Sequence, residues 1–237
     1  MAKKEFPERK LPKEKKGFFP DEPAGNFAGD FSNRVSGLFS KSFSVIKFIL
    51  GVLLLPFVFS SAASFLNEFN LVNKDLQGIF WNGAIFFLGL YLFIWEPVSI
   101  YNKGHKILEI VFSFFKPMVN VAPFLLPIYT ILFFIIYGLL SLGIKSDWLL
   151  EYTIFLIGFS TVLHLVFSAK TIRTKKGDFL KGNYIFGFSF IFILNLALLA
   201  FGLSLIFKEF SFVNFCNISF TIARNMFGAA FKQLFMF

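Results

Sequence analysis

The stretch 183–207 reads NYIFGFSFIFILNLALLAFGLSLIF and contains no charged side chain. An α-helix rises 1.5 Å per residue, so about 20 apolar residues cross the roughly 30 Å hydrocarbon core of a bilayer. This stretch therefore predicts a transmembrane helix. Stretches of similar length and composition recur along the chain.

Five such spans are predicted, at 43–66, 78–101, 118–143, 148–169 and 183–207. Hydrophobic residues make up 56% of the chain and the mean hydropathy is +0.70, which exceeds the values of a soluble domain. The sequence therefore predicts an all-α polytopic membrane protein with five transmembrane helices and additional in-plane amphipathic helices. A lipid bilayer is its expected surrounding.

Basic residues alternate between the connections of the predicted spans. The N-terminal segment 1–42, the connection after span two and the connection after span four together hold seventeen Lys and Arg. The other two connections hold only Lys74 and Lys145. Because cytoplasmic loops of membrane proteins carry the excess of Lys and Arg, we expect a cytoplasmic N-terminus. Five spans then leave the C-terminus outside.

The chain divides into three predicted parts: a basic cytoplasmic arm (1–42), a five-span domain (43–207) and a C-terminal segment (208–237). In the arm, an apolar residue recurs about every four positions from Phe27 to Leu38, which predicts a short amphipathic helix. The stretch 105–116 has a narrow polar stripe and predicts a second helix in the membrane plane.

The C-terminal segment is amphipathic as well. Polar residues recur along it at spacings of three and four: Asn214, Asn217, Thr221, Arg224, Gly228 and Lys232. An arginine at the bilayer centre costs about 2.5–3.5 kcal/mol on the insertion scale. The pattern therefore favours a helix in the plane of the membrane, with a sixth crossing helix as the alternative.

Five polar residues fall at one predicted depth, near the cytoplasmic ends of the spans: Lys47, Glu96, Asn120, His164 and Tyr184. One interpretation is an ion pair between Lys47 and Glu96 that locks spans one and two together. Another is that Lys47 extends to the interface. A third is a transport site, in which Glu96 and His164 handle protons or an ion.

Two further features lie inside the spans. Asn195 is mid-span in the fifth helix, where an amide usually bonds across to another helix, with a substrate contact as the alternative. Pro123 and Pro127 predict a kink in span three. The small residues of SSAAS, 60–64, predict close approach of another helix to span one.

The sequence contains no recognisable catalytic motif. One cysteine and two histidines are too few for a disulfide or a His-rich metal centre. The net charge of +9 is distributed in the way that orients a membrane protein, so we expect no nucleic-acid partner. Because catalytic motifs and metal-ligand clusters are missing from the sequence, we also expect no cofactor, metal or catalytic residue.

The leading hypothesis is a non-catalytic membrane subunit that anchors or assembles a larger complex, with other membrane-protein subunits as partners. The alternative is a small transporter or channel component with a polar site at the cytoplasmic leaflet.

Overall fold

The computed structural model describes residues 26–119, 121–144, 146–174 and 184–235. The described residues form helices joined by short turns and contain no β-strand, which confirms the all-α prediction. The helices are α1 (Asn26–Phe69), α2 (Lys74–Gly89), α3 (Val98–Val111), α4 (Lys116–Val119), α5 (Ala122–Leu125), α6 (Ile128–Leu140), α7 (Asp147–Thr174), α8 (Tyr184–Ile206) and α9 (Phe212–Phe235).

The chain forms two units, residues 1–41 and 42–237. The first is described only from Asn26, where α1 begins, so the short helix predicted in the basic arm is the beginning of a longer helix.

Within the described residues, four helical stretches are long and apolar enough to cross a membrane. They are Val45–Phe69, Lys74–Ile94, Asp147–Arg173 and Tyr184–Ile206. Each overlaps a predicted span, and together they indicate insertion into a membrane.

The predicted third span, 118–143, is not one helix. It is divided among α4, α5 and α6, and its longest apolar piece is Ile128–Leu140. Pro123 and Pro127 each lack an N–H donor and restrict the preceding residue, and Leu126 between them is extended. The sequence predicts a kink here, and the structure shows a complete break between α5 and α6.

The second span ends earlier than its predicted boundary at residue 101. Helix α2 continues into a π-helical turn, Leu90–Ile94, and Trp95 is extended, with φ −162° and ψ 140°. Pro97 explains the interruption, because proline disfavours the helical conformation in the residue before it. The chain becomes helical again at Val98, the start of α3.

Helices α2 and α7 run in the same direction. Ile79 and Glu151 line one groove near their first turns, and Glu96, which follows α2 and the π-helical turn, pairs with Lys170 near the end of α7. Glycines bring the two backbones close. A Cβ added at Gly83 or Gly158 would overlap a backbone carbonyl of the facing helix.

Helix α6 runs antiparallel to α7 and in the same direction as α8. The hydroxyls of Thr130 and Ser160 are 2.8 Å apart in the α6–α7 contact. On the other side of α6, the ring of Phe134 fills the space above Gly202 in α8. The segment from α5 to α6, which we call the broken segment, therefore lies between α7 and α8.

Helix α9 lies antiparallel along α1. The Ser64 hydroxyl donates to the Phe215 carbonyl at 2.6 Å, and the hydroxyls of Ser61 and Ser219 are 3.2 Å apart. The helix that approaches the small residues of span one is thus α9.

Phenylalanine is the most frequent residue in the apolar core. Its largest cluster contains Phe65, Phe69, Phe80 and Phe210. This cluster lies near the connections from α1 to α2 and from α8 to α9. Other phenylalanines face outward, such as Phe93, which is 86% exposed. The abundant phenylalanine therefore serves both the core and the outer surface.

Candidate functional site

Polar side chains of α7 bind a backbone carbonyl of α5, and side chains of α3 pack beside them. His164 is 4% exposed, and its Nε2 lies 3.1 Å from the Phe124 carbonyl oxygen, to which it donates in the tautomer protonated at Nε2. Ser168, one turn further along α7, donates to the same oxygen at 3.4 Å. We call Tyr101, His105, His164, Ser168 and this carbonyl the buried polar cluster.

The break after α5 explains why the cluster exists. In a continuous helix the Phe124 carbonyl would accept from a backbone N–H four residues later. The chain leaves the helical path at Leu126, so the carbonyls of this short helix need other donors. Side chains of α7 supply them for the Phe124 carbonyl.

Helix α3 closes the other side of the cluster. The Tyr101 and Ser168 hydroxyl oxygens are 3.2 Å apart, and the Tyr101 and His105 rings have centroids separated by 4.2 Å. Burial raises the pKa of Tyr101 to about 12, against a smaller lowering by its hydrogen bond to Ser168. The phenol therefore remains neutral and keeps its proton for hydrogen bonding.

Glu96 has a different partner from the one that the sequence favoured. Its carboxylate pairs with Lys170, and both side chains are partly exposed. The sequence analysis had assigned Lys170 to the loop after span four. Lys47, the expected partner, is buried, and its Nζ lies 4.5 Å from the centroid of the Phe43 ring.

The remaining members of the predicted polar level lie elsewhere. Tyr184 is exposed at the start of α8 and stacks on Phe188, with ring centroids 5.8 Å apart. Asn120 lies outside the described residues. Of the described members, only His164 belongs to the buried polar cluster.

Asn195 also bonds to the broken segment. It is 1% exposed, and its Nδ2 donates to the Leu125 carbonyl at 3.1 Å and to the Ile191 carbonyl at 2.8 Å. Its Oδ1 is buried without a hydrogen-bond partner in the described chain. Side chains of α7 and α8 therefore bind the adjacent carbonyls of Phe124 and Leu125.

Several polar residues that hold the fold together escaped the sequence analysis. Ser160 and Ser168 each lie four residues from His164, a spacing that places all three on one face of α7 and could have been noticed. Glu68 is buried at the end of α1, and its Oε2 accepts from the Ser211 N–H at 3.0 Å, just before α9 begins. No local pattern identifies that contact.

The buried polar cluster is poorly suited to catalysis. Ser168 Oγ lies 3.3 Å from His164 Nε2, a separation compatible with a nucleophile and its base. However, both side chains are buried and bind the Phe124 carbonyl. In the described part of the chain, no three His, Cys, Asp or Glu residues lie close enough to hold a metal ion.

Two surface grooves in the described part of the chain lie away from the cluster. One of about 500 Å³ beside Glu151 and one of about 250 Å³ beside Thr130 are lined mainly by apolar side chains. Neither includes a member of the buried polar cluster.

Comparisons with protein-family models, curated proteins and solved structures gave no match for this chain. The fold and the cluster define a class only: an all-helical protein with several helices suited to crossing a membrane. Its function must be argued from its own geometry.

Replacing His164 tests whether the cluster stabilises the helix break. We expect His164→Leu to lower the free energy of unfolding by about 1–3 kcal/mol, because it removes the shorter hydrogen bond to a buried carbonyl. The control is Tyr152→Leu, at an exposed position of the same helix. Unfolding in mixed detergent micelles measures both; equal stability of the two variants would contradict the structural role.

Proposed function

We propose that the protein is a non-catalytic integral membrane subunit that anchors or assembles a larger membrane complex. The observation that carries this proposal is that the polar side chains of its interior bind other parts of the same chain. His164 and Asn195 bind the carbonyls of Phe124 and Leu125, and Thr130 binds Ser160.

Ionisable and amide side chains inside a membrane often belong to a transport or catalytic site. Here their contacts concentrate around one helix break, where they satisfy backbone groups that lipid could not. This use of polar residues supports a structural role. The partly exposed ion pair of Glu96 and Lys170 fits a junction between the end of α7 and the segment that connects α2 to α3.

The directions of the helices support five crossings. Helices α2 and α7 run in the same direction, so the chain between them must return across the fold. The segment from α5 to α6 makes that return, since Phe124 lies beside His164 and Thr130 beside Ser160. With the basic arm on the cytoplasmic side, the Glu96–Lys170 end of the fold is also cytoplasmic.

Co-purification tests the proposed function. Extraction in a mild detergent should recover the full chain with stoichiometric partner proteins. Deleting residues 1–25 should weaken that association. A second variant carries the same 25 residues in a different order and therefore keeps their charge. If this variant still binds the partners, the charge of the segment is sufficient; if it does not, the order of the residues matters. A chain that remains a lone monomer, both in mild detergent and after cross-linking in native membranes, would refute the subunit role.

One observation favours a transporter as the second candidate. Discontinuous helices often line transport sites, and the break between α5 and α6 lies beside the unpartnered Oδ1 of Asn195. Reconstitution in liposomes with a pH-sensitive dye separates the two functions. A proton flux that Glu96→Gln or Asn195→Leu abolishes, with folding intact, would establish transport. The subunit proposal predicts no flux.

A further inference from the structure

Helix α9 follows α1 over a considerable length. Its contacts begin where Ser211 donates to Glu68 and continue through Ser64 with Phe215 and Ser61 with Ser219. They extend to the ring pair of Phe57 and Phe227, whose centroids are 5.7 Å apart. These pairs lie in the second half of the candidate span Val45–Phe69.

This alignment places Arg224 near mid-membrane. In an antiparallel pair, each residue further along α9 faces one residue earlier in α1. Ser219 faces Ser60 and Ser61, so Arg224, five residues later, lies about level with residue 56. That level is close to the middle of Val45–Phe69.

The polar stripe of α9 faces away from the rest of the chain. Phe215 and Ala223 are buried against the fold, and Ser219 is partly buried. On the opposite side the exposed residues are Asn214, Asn217, Thr221, Arg224, Asn225, Gly228 and Lys232. We call this side the polar face of α9.

Contact with lipid is energetically unfavourable for the polar face of α9. An arginine near the bilayer centre costs about 2.5–3.5 kcal/mol on the insertion scale, and exposed amides add to that cost. In membrane proteins, side chains of this kind face a partner or a water-filled cavity. Arg224 forms no ion pair within the described chain.

We propose that α9 is a sixth crossing helix and that its polar face docks a transmembrane helix of a different protein, which carries a carboxylate at the depth of Arg224. This inference rests on the proposed function and names the surface through which the subunit meets a partner. It also returns the end of α9 to the membrane side on which the span Val45–Phe69 begins, contrary to the predicted outside C-terminus.

Charge complementarity selects the partner. A guanidinium binds a carboxylate through two parallel hydrogen bonds, and the amides of Asn217 and Asn225 supply further donors and acceptors. A second copy fits less well. Copies of equal topology are related by an axis along the membrane normal, which would place Arg224 of one copy against Arg224 of the other.

Site-specific photo-cross-linking in native membranes tests the docking surface. A photoreactive residue replaces Thr221 on the polar face; the matched control replaces Phe220, an exposed residue rotated by about 100° around the helix. Thr221 should cross-link to one protein, through a transmembrane peptide that contains Asp or Glu. The Phe220 position should give mainly lipid adducts.

Charge reversal then tests the pairing. With the probe at Thr221, Arg224→Glu should reduce the cross-link at least about tenfold, because it places like charges together at low dielectric. Arg224→Lys should retain most of it. Replacing the partner's carboxylate with Arg should restore cross-linking to the Arg224→Glu chain.

Several outcomes would overturn the inference: adducts only with lipid, adducts only with a second copy, a partner helix without an acidic residue, or a cross-link that Arg224→Glu leaves unchanged. If stoichiometric partners still co-purify in any of these cases, the docking surface is wrong and the subunit role stands. A lone monomer that gives only lipid adducts would refute both.

Discussion

Gly83→Ala should lower the free energy of unfolding by about 2 kcal/mol or more, whereas Gly78→Ala in the same helix should leave the protein as stable as the wild type. A Cβ at Gly83 would overlap the Phe155 carbonyl of α7, while nothing lies within 4 Å of one at Gly78. Overpacking a close contact typically costs 1–3 kcal/mol.

The contact between α2 and α7 is reciprocal. An added Cβ at Gly158 would in turn overlap the Phe80 carbonyl. Small residues matter more between membrane helices than in water, because close backbone approach and packing replace the hydrophobic driving force. We therefore expect the double variant Gly83→Ala/Gly158→Ala to lose less than the sum of the single losses, since either one already separates the helices.

Unfolding by a denaturing detergent, followed by circular dichroism, measures these variants against the wild type. Size-exclusion chromatography in mild detergent shows whether each variant remains monodisperse. If Gly83→Ala and Gly78→Ala were equally stable, the close approach of α2 and α7 would not be a feature of the folded protein.

Phe69→Ala should destabilise the fold by about 2–3 kcal/mol. The Phe69 ring is 2% exposed, and its centroid lies 5.1 Å from that of Phe80 and 5.4 Å from that of Phe65. A buried Phe→Ala replacement costs 3–5 kcal/mol in soluble proteins. We expect less here, because the unfolded chain in a micelle already keeps the side chain out of water.

Phe93→Ala is the matched control, because Phe93 is 86% exposed and contacts little of the fold. Its stability should stay within about 0.5 kcal/mol of the wild type. The pair of variants tests whether phenylalanine serves two purposes in this chain. Comparable losses at both positions would contradict the division into core and lipid-facing rings.

Composition alone located the spans well where the apolar run is unbroken, as in α7 and α8. It misplaced the boundaries of the spans that proline interrupts. Pro97 ends the second span before its apolar residues run out, and Pro123 with Pro127 breaks the third span completely. Hydropathy measures the cost of transfer to lipid and is insensitive to a missing backbone donor.

The candidate site was predictable only in part. His164 and Asn195 stood out as polar residues within apolar helices, but their acceptors are backbone carbonyls released by the helix break. No side-chain pattern marks such an acceptor. Lys170 was counted with a loop because it follows the apolar run, although α7 continues past it to Thr174.

The tail shows the same limit. The amphipathic pattern of α9 is real, but it does not determine which surface covers the apolar side. Helix α1 provides that surface through Ser61 and Ser64, and the polar side is left outward. Amphipathicity that suits a lipid interface suits a helix between two proteins equally well.

Cysteine labelling in intact cells tests most directly whether the chain crosses the membrane in the proposed orientation. In a Cys216→Ser background, single cysteines replace Lys74, the first residue of α2, and Lys176, in the basic stretch of sequence before α8. A membrane-impermeant maleimide should label position 74 in intact cells and position 176 only after lysis. Labelling of position 176 but not 74 in intact cells would reverse the orientation, and labelling of both would contradict the crossings between them.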